Sequence, residues 1–429
     1  MHQRRAARNV SARHLDDADR TPRRAGWHRR RHPVHARHPN VHADLVAVVR
    51  PHRLECDVRS GLAGPCPRRR SPRSARVSFD EAAAIVSRAI EAQVFPAATV
   101  EVGRAGGPLW EGAWGALAYD DGAAPTSLDT VFDLASLTKV VATTTLAMRH
   151  ADGGRLALTD RLGEHLPRWQ GDDRSAVTIA DLLAHTGGLA AHEPLFHDHA
   201  GRAEFEPRIC RLPLEYEPRT KSVYSDLGFI LLGFLLEDLG KAGLDAQFGR
   251  TADACGLASL SYAPPPPHLS IAPAGDNAWR GRRLVGEVHD DNGWALGGVA
   301  GHTGLFGTAA AVGRFARLIL KGLAGEPTLA QPDTVRQFTR RADVPGSSRA
   351  LGWDTMLPTS SCGHRLSPSA IGHTGFTGTS LWIDPARDLY IVFLTNRVHP
   401  AVHDAEAIRA VRPALHDAVV DAAPQGVAD

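Results

Sequence analysis

Ser136 and Lys139 stand three residues apart in the segment VFDLASLTKVVATTTLAMRH. An apolar, strand-like run leads there into a predicted helix that has Ser136 at its start. Positions i and i+3 share one face of a helix. Ser136 would therefore lie in the positive field of the helix N-terminus, beside an amine that can accept its proton when desolvated and unprotonated. The spacing indicates a nucleophile and its base.

The choice of lysine strengthens this interpretation. The chain has only four lysines against 45 arginines, and of these two side chains only lysine can lose its proton near neutral pH. The alternative is a helix cap followed by a solvated lysine, because a single S-x-x-K motif is common.

Tyr224 and Asp226 precede a long apolar helix in KSVYSDLGFILLGFLLEDLG. A tyrosine at this place is often a core residue whose hydroxyl bonds to the backbone. As a partner of Lys139, its phenol would instead relay a proton between nucleophile and leaving group.

The triplet HTG occurs three times. The copy at His185 is expected in the last turn of a helix, with Gly187 or Gly188 just after the helix end. The copy at His302 lies in a Gly-rich turn before a helix that Thr308 would cap, with contact to the substrate as the less favoured alternative. Both copies therefore have a structural explanation.

The third copy, His373-Thr374-Gly375, opens a predicted β-strand in IGHTGFTGTSLW. The missing side chain of Gly375 would let a substrate backbone approach closely, and Thr374 would offer its hydroxyl to a carboxylate or carbonyl. This is the copy that we predict to take part in chemistry.

In order and spacing these motifs resemble the serine β-lactamase and penicillin-binding-protein superfamily, specifically its class C and esterase-like branch. The segment from Ser136 to Lys139 is similar to the family's S-x-x-K, Tyr224 to Asp226 to its Y-x-N, and His373 to Gly375 to its K-T-G. The resemblance extends over roughly residues 77–424.

The resemblance implies that Ser136 attacks a carbonyl and forms an acyl-enzyme, that Lys139 and Tyr224 handle protons, and that water releases the acyl group. The main-chain N–H groups of Ser136 and Phe376 would hold the oxyanion. Neither a metal nor another cofactor is required.

Two departures from the family motifs bear on the substrate. Asp226 stands where Asn is common, and an ionised carboxylate cannot donate a hydrogen bond to a substrate amide carbonyl. His373 replaces Lys, and a mostly neutral imidazole holds a substrate carboxylate less firmly. Both changes favour esters or cell-wall amides over penicillins.

The elements that must position these residues follow from hydrophobic periodicity. A helix with Ser78 as its N-cap is predicted, then a hairpin around Gly106-Gly107, a second hairpin turning at residues 384–388, and a C-terminal helix. We therefore expect an α+β fold, in which an antiparallel sheet of N- and C-terminal strands (77–135 and 365–424) is flanked by helices and joined to a mostly helical lobe (136–364).

Charge is distributed unevenly. Residues 1–76 carry 19 arginines, no lysine and six acidic residues, a net charge of +13, whereas the remainder carries 30 basic and 41 acidic residues, a net charge of −11. This stretch has no apolar periodicity, and we expect a disordered, solvated tail; a nucleic-acid-binding arm is the less favoured alternative.

No run of the sequence suggests a membrane span or a secretory signal, which favours a cytoplasmic location while leaving the compartment open. The five cysteines are scattered, which suggests free thiols. In AAHEPLFHDHA, residues His192, Glu193, His197, Asp198 and His199 look like metal ligands, but the H-E-x-x-H spacing is missed and Pro194 breaks a helix. We expect a solvated loop without a metal.

The sequence thus predicts a metal-free serine hydrolase acting on a small-molecule ester, amide or β-lactam carbonyl. Carboxylesterase and muropeptide amidase or D-aminopeptidase activities stay open within this class. From another class comes a non-catalytic sensor or scaffold with a penicillin-binding-like fold.

Overall fold

The computed structural model describes residues 78–262, 270–402 and 405–423. The predicted basic tail, Cys56, Cys66 and most of the polyproline segment YAPPPPHL lie outside these residues. Cys210, Cys255 and Cys362 are free thiols.

Six strands form one antiparallel sheet in the order β2-β1-β10-β9-β8-β7. The strands in chain order are β1 (Ala97–Arg104), β2 (Gly107–Gly115), β3 (Phe132–Asp133), β4 (Asp276–Asn277), β5 (Arg282–Arg283), β6 (Phe306–Gly307), β7 (Asp354–Thr355), β8 (Ile371–Thr374), β9 (Ser380–Asp384) and β10 (Leu389–Thr395). The predicted sheet of N- and C-terminal strands is confirmed, because β1 pairs directly with β10. The edge strand β7 comes from the middle of the chain.

Eleven α-helices lie in the described ranges: α1 (Asp80–Glu91), α2 (Thr145–Asp152), α3 (Leu162–His165), α4 (Ile179–Leu183), α5 (Arg202–Arg211), α6 (Asp226–Gly240), α7 (Leu244–Ala254), α8 (Asp291–Ala295), α9 (Ala309–Leu323), α10 (Pro332–Thr339) and α11 (Ala405–Ala422). A π-helical segment, Lys139–Thr144, leads into α2, and 3₁₀ turns occupy Leu195–His197 and Pro385–Arg387. Together with the sheet they make an α+β fold.

Both faces of the sheet are covered. Helices α1 and α11 pack together over one face, in a core that includes Phe95, Trp382 and Phe393. Helix α9 covers β1 and β10 on the other face, where the second and larger core continues into the helical part. The terminal helices flank the sheet as expected, whereas α9 was assigned to the helical lobe.

Local predictions were confirmed or corrected at individual caps. Thr308 caps α9 by accepting a hydrogen bond from the Ala311 N–H. Ser78 is not the cap of α1, which begins at Asp80 after Phe79. Helix α4 ends at Leu183, so His185 lies beyond the last turn, in the left-handed region with φ +58°. His185 thus takes the backbone conformation that was expected of a glycine there.

Helix α6 is apolar all round and runs through the larger core, as such a helix must. Gly301 lies against it: a Cβ at this glycine would meet the Phe229 carbonyl oxygen at 2.0 Å. This close approach brings the following residue, His302, to the N-terminal half of α6.

Candidate active site

Ser136 follows directly on a strained residue. After β3 the chain passes through Ala135 in the left-handed region, with φ +46°, a conformation that costs a non-glycine residue roughly 1–2 kcal/mol. The Ala135 N–H donates to the Asp133 carboxylate at 2.8 Å, which holds this conformation. The turn directs Ser136 into a cleft of about 690 Å³.

Asp133 ties the Ser136 turn to two other segments. Its second carboxylate oxygen accepts the His289 N–H at 2.7 Å, and its carbonyl accepts the Thr377 hydroxyl at 2.8 Å. The Leu134 carbonyl accepts the Thr379 hydroxyl at 3.2 Å. Burial raises the pKa of Asp133 to about 6, against the lowering effect of its two N–H donors. The turn after β8 is thereby fixed beside Ser136.

Gly375 serves this junction in a different way from the one expected. A Cβ at this position would lie 2.1 Å from the Thr379 hydroxyl, 2.7 Å from the Leu134 carbonyl oxygen and 3.3 Å from the Ala135 Cβ. The prediction that its missing side chain admits a substrate backbone is therefore wrong for that space, which protein atoms fill. The glycine lets β8 approach the Ser136 turn.

The two predicted oxyanion donors both line the cleft. Within the described part of the chain, the main-chain N–H groups of Ser136 and Phe376 make no hydrogen bond. The Phe376 carbonyl is held by the Arg397 guanidinium at 2.9 Å, and the Phe376 side chain is 53% exposed. Two unpaired N–H groups beside a serine are what an oxyanion site needs.

Lys139 is fully buried and donates three hydrogen bonds. Its acceptors are the Ser136 Oγ at 3.0 Å, the Asp226 Oδ1 at 2.7 Å and the His302 carbonyl at 3.1 Å. Burial opposes the charged form, but the Asp226 carboxylate, with a smaller contribution from the neighbouring Tyr224, outweighs it, and the pKa of Lys139 is raised overall. The resting side chain is therefore an ammonium, which must lose a proton before it can accept that of Ser136.

Tyr224 lies against this ammonium, with 4.8 Å between the Lys139 Nζ and the ring centroid. Its hydroxyl is buried next to Lys139 and Ser136, without a well-formed hydrogen bond to any described group. Burial raises the pKa of Tyr224, Lys139 lowers it and Asp226 raises it again, so that the resting phenol is neutral.

Asp226 forms an ion pair with Lys139, and the substrate contact expected of it stays a prediction. One carboxylate oxygen is bound to Lys139, and the other lies 4.0 Å from the His192 Nδ1. The carboxylate still lines the cleft. Its main partner is nevertheless the ammonium.

All three HTG triplets meet at this cluster. The His185 ring packs against Tyr224 with centroids 4.7 Å apart, and its Nδ1 accepts the Ser225 N–H at 3.0 Å. His302 supplies a carbonyl to Lys139, while its Nε2 bonds to Asp290 at 2.9 Å. The triplets at His185 and His302 therefore contact residues of the site in addition to their structural roles.

The His373 ring also packs against Tyr224, with 5.7 Å between the two ring centroids. Its Nδ1 donates to the Thr374 carbonyl at 2.8 Å, because a carbonyl can only accept. Burial, together with the charges of Arg349 and Lys139, holds the pKa of His373 well below its usual range. The neutral ring therefore presents a lone pair at Nε2, which lacks a partner among the described residues.

Apart from Asp226, sequence reasoning missed the charged lining of the cleft. The other acids come from the start of α8 and from β7, and the arginines from the loop before β7, the segment after β10, and α11: Asp290, Asp291, Asp354, Arg349, Arg397, Arg409 and Arg412. Arg412 donates to the Gly375 and Thr379 carbonyls at 2.8 and 2.9 Å. No motif marks these residues, because only folding brings them together.

The suspected metal loop is spread out in the structure. His192 lines the cleft, whereas Glu193 pairs with Arg208 at 3.2 Å. Across the described ranges, no three His, Cys, Asp or Glu side chains are grouped as metal ligands. None of the described helices combines the length and the apolar character needed to cross a membrane.

Comparison with known proteins identifies the class of the protein. The chain belongs to the beta-lactamase family, a family of hydrolases, whose model matches residues 82–416. A protein of Escherichia coli (strain K12) named "Putative D-alanyl-D-alanine carboxypeptidase" is 30% identical over 340 residues, which cover 70% of this chain and 77% of that protein.

Solved structures share the fold at lower identity. EstCE1, described as a hydrolase with promiscuous acyltransferase activity, has a TM-score of 0.63 and 20% identity, covering 79% of this chain and 98% of that one. A class C beta-lactamase mutant has a TM-score of 0.63 and 18% identity, covering 78% and 96%.

Proposed function

We propose that the chain is a serine hydrolase that cleaves an ester or amide through an acyl-enzyme formed on Ser136. The observation that carries the proposal is the contact of 3.0 Å between the Ser136 Oγ and the buried Lys139 ammonium, in a cleft that both unpaired N–H groups line. Burying the Lys139 ammonium costs desolvation free energy, and a non-catalytic scaffold would gain nothing from a charge beside Ser136.

In the proposed reaction the Ser136 oxygen bonds to the substrate carbonyl carbon, and the N–H groups of Ser136 and Phe376 receive the oxyanion. The serine proton passes to the pair of Tyr224 and Lys139 once this pair has lost a proton. The pair returns that proton to the leaving oxygen or nitrogen as the C–O or C–N bond breaks. Water then repeats these steps and releases the acid.

The walls of the cleft favour esters and cell-wall amides over penicillins. In the family that the chain resembles, the corresponding Asn and Lys side chains can donate hydrogen bonds. Here Asp226 presents a carboxylate oxygen and His373 an imidazole lone pair, and both are acceptors. Neither can donate to the amide carbonyl or the carboxylate of a penicillin.

A second candidate is the removal of a C-terminal residue from a peptide. The name of the E. coli relative supports it, and so does Arg349. This cation lines the cleft 5.1 Å from the Tyr224 ring centroid and could take the terminal carboxylate that the neutral His373 does not attract.

The test is hydrolysis of p-nitrophenyl butyrate and of nitrocefin by the wild type and by Ser136→Ala, with the exposed Ser175→Ala as the control. We expect ester turnover well above nitrocefin turnover, both lost only in Ser136→Ala. A fluorophosphonate probe should add its mass to the wild type and to Ser175→Ala.

Turnover retained in pure Ser136→Ala would refute the proposal. Labelling of Ser136 without turnover of any ester, amide or β-lactam would favour the sensor instead. Faster cleavage of nitrocefin than of the ester would contradict the substrate preference alone.

A further inference from the structure

Asp226 is held rigidly at the start of α6. Its N–H donates to the Ala191 carbonyl at 2.9 Å. The preceding Ser225 bonds in both directions, since its hydroxyl donates to the Ala190 carbonyl at 2.6 Å and accepts the Gly228 N–H at 3.3 Å. The carboxylate therefore has a fixed place relative to Lys139.

The ion pair of Asp226 and Lys139 is the shortest of the three contacts that the ammonium makes, at 2.7 Å. An ammonium has three N–H donors, and here each has an acceptor. With Asp226 in place, the donor aimed at Ser136 cannot turn elsewhere without breaking another bond. A buried cation also needs a nearby anion to offset its desolvation.

We propose that Asp226 is a positioning residue that acts through Lys139: it holds the ammonium on Ser136, cancels its charge, and so sets the pH range in which the site accepts the serine proton. The proposal rests on the proposed function of Ser136. It assigns to this aspartate a task other than binding the substrate.

Four of the other ionisable groups around the pair are balanced or neutral. His185 and His373, beyond the Tyr224 ring, are buried with pKa values well below the usual range. Asp290 is paired with His302.

Two further groups contribute charge from other elements. His192 lies 4.0 Å from the free oxygen of Asp226 and is half exposed. Arg349 lies over Tyr224 and makes no ion pair with another described residue. Asp226 is thus the anion in direct contact with Lys139.

The sign of the effect follows from these charges. Asp226 raises the pKa of Lys139 and also that of Tyr224. Replacing it by neutral Asn lowers both values, so the pair loses a proton at lower pH. An opposite charge at this range shifts a pKa by about 1–3 units, and we expect the acidic limb of the kcat/KM profile to move down by about one unit or more.

The experiment measures kcat/KM for p-nitrophenyl butyrate against pH, corrected for spontaneous hydrolysis, in the wild type, Asp226→Asn and Asp238→Asn. Asp238 is the matched control, because it lies on the same helix and pairs with Arg202 at 2.6 Å, away from the cleft. We expect the limb to move only in Asp226→Asn.

A uniformly lower rate with the limb at its wild-type pH would show a merely structural role and overturn the proposal. So would an equal shift in Asp238→Asn. Should Asp226→Asn not fold, Asp226→Glu keeps the charge, and its limb is expected at the wild-type pH; a shifted limb there contradicts the proposal. Activity that survives in Ser136→Ala would instead refute the proposed function, which separates the two failures.

Discussion

Arg349 is partly exposed and differs from the two buried arginines of the cleft, Arg397 and Arg412, in the partners of its guanidinium. Arg397 and Arg412 donate to main-chain carbonyls, whereas Arg349 stacks on Tyr224 and, within the described ranges, has no side-chain hydrogen bond. A substrate carboxylate would therefore gain a charge-assisted bond worth about 1.5–3 kcal/mol.

Arg349→Gln should raise KM for an anionic ester about 10- to 100-fold, the equivalent of that bond energy. The measurement compares p-nitrophenyl hemisuccinate with p-nitrophenyl butyrate, which has no carboxylate and serves as the control within each protein. Equal changes for both esters would show that Arg349 supports Tyr224 rather than recognising the anion.

The sequence predicts a site residue when the residue that it contacts lies nearby in the chain. Ser136 and Lys139 are adjacent on one helical face, so their spacing alone brings them together. The carbonyl of His302 reaches Lys139 across 163 residues, and the ring of His185 receives the Ser225 N–H across 40. A local sequence pattern does not reveal contacts between residues so far apart in the chain. The sequence therefore indicated mainly a helix end for the His185 triplet and a turn for the His302 triplet.

The same limit applies to elements. Helices α6 and α9 and the two hairpins are long enough for a period of 3.6 or 2 to be seen. Strands β3, β6 and β7 have two residues each and leave no pattern. Yet β3 and β6 pair beside Ser136, so short elements position part of the site.

Strand β8 and the Ser136 turn form one unit through Gly375. In Gly375→Ala the new methyl would overlap the Thr379 hydroxyl and the Leu134 carbonyl. Overpacking of this kind costs about 1–3 kcal/mol, and here it would push Phe376 away from Ser136. We expect a lower melting temperature and a fall in kcat larger than any change in KM.

Gly106→Ala, in the turn between β1 and β2, is the matched control, because a Cβ there meets no atom within 4 Å. It should leave kcat unchanged. Wild-type kcat in Gly375→Ala would contradict the role given to this junction. Thr379→Ala added to Gly375→Ala should restore part of the loss.

At the scale of the whole molecule, the sequence predicted that strands from the two ends of residues 77–424 form one sheet, because a pair of strand-like runs lies near each end of that range. It did not predict which element covers the face of the sheet opposite α1 and α11. That element is α9. Its Arg317 donates to the Glu101 carboxylate on β1 at 2.9 Å, and Tyr390 on β10 donates to the same carboxylate at 2.6 Å.

This buried carboxylate couples stability to pH. Burial raises the pKa of Glu101 to about 7, although Tyr390 and Arg317 act to lower it. A group with a raised folded pKa stabilises the fold fully below its unfolded value, near 4.5, and loses that contribution as the pH rises through about 7. The loss is on the order of 3 kcal/mol for a shift of this size.

Glu101→Gln removes the titrating carboxyl group, so the stability of this variant should increase relative to that of the wild type as the pH rises. Thermal unfolding of both proteins between pH 5 and 8 measures it: the melting temperature of the wild type should fall relative to that of the variant, with most of the change between pH 5 and 7 and little above. Glu81→Gln, at an exposed ion pair with Arg88, should follow the wild type throughout. Parallel curves for wild type and Glu101→Gln would mean that the Glu101 carboxylate titrates near its ordinary pKa, with its ionised form fully compensated by Arg317 and Tyr390.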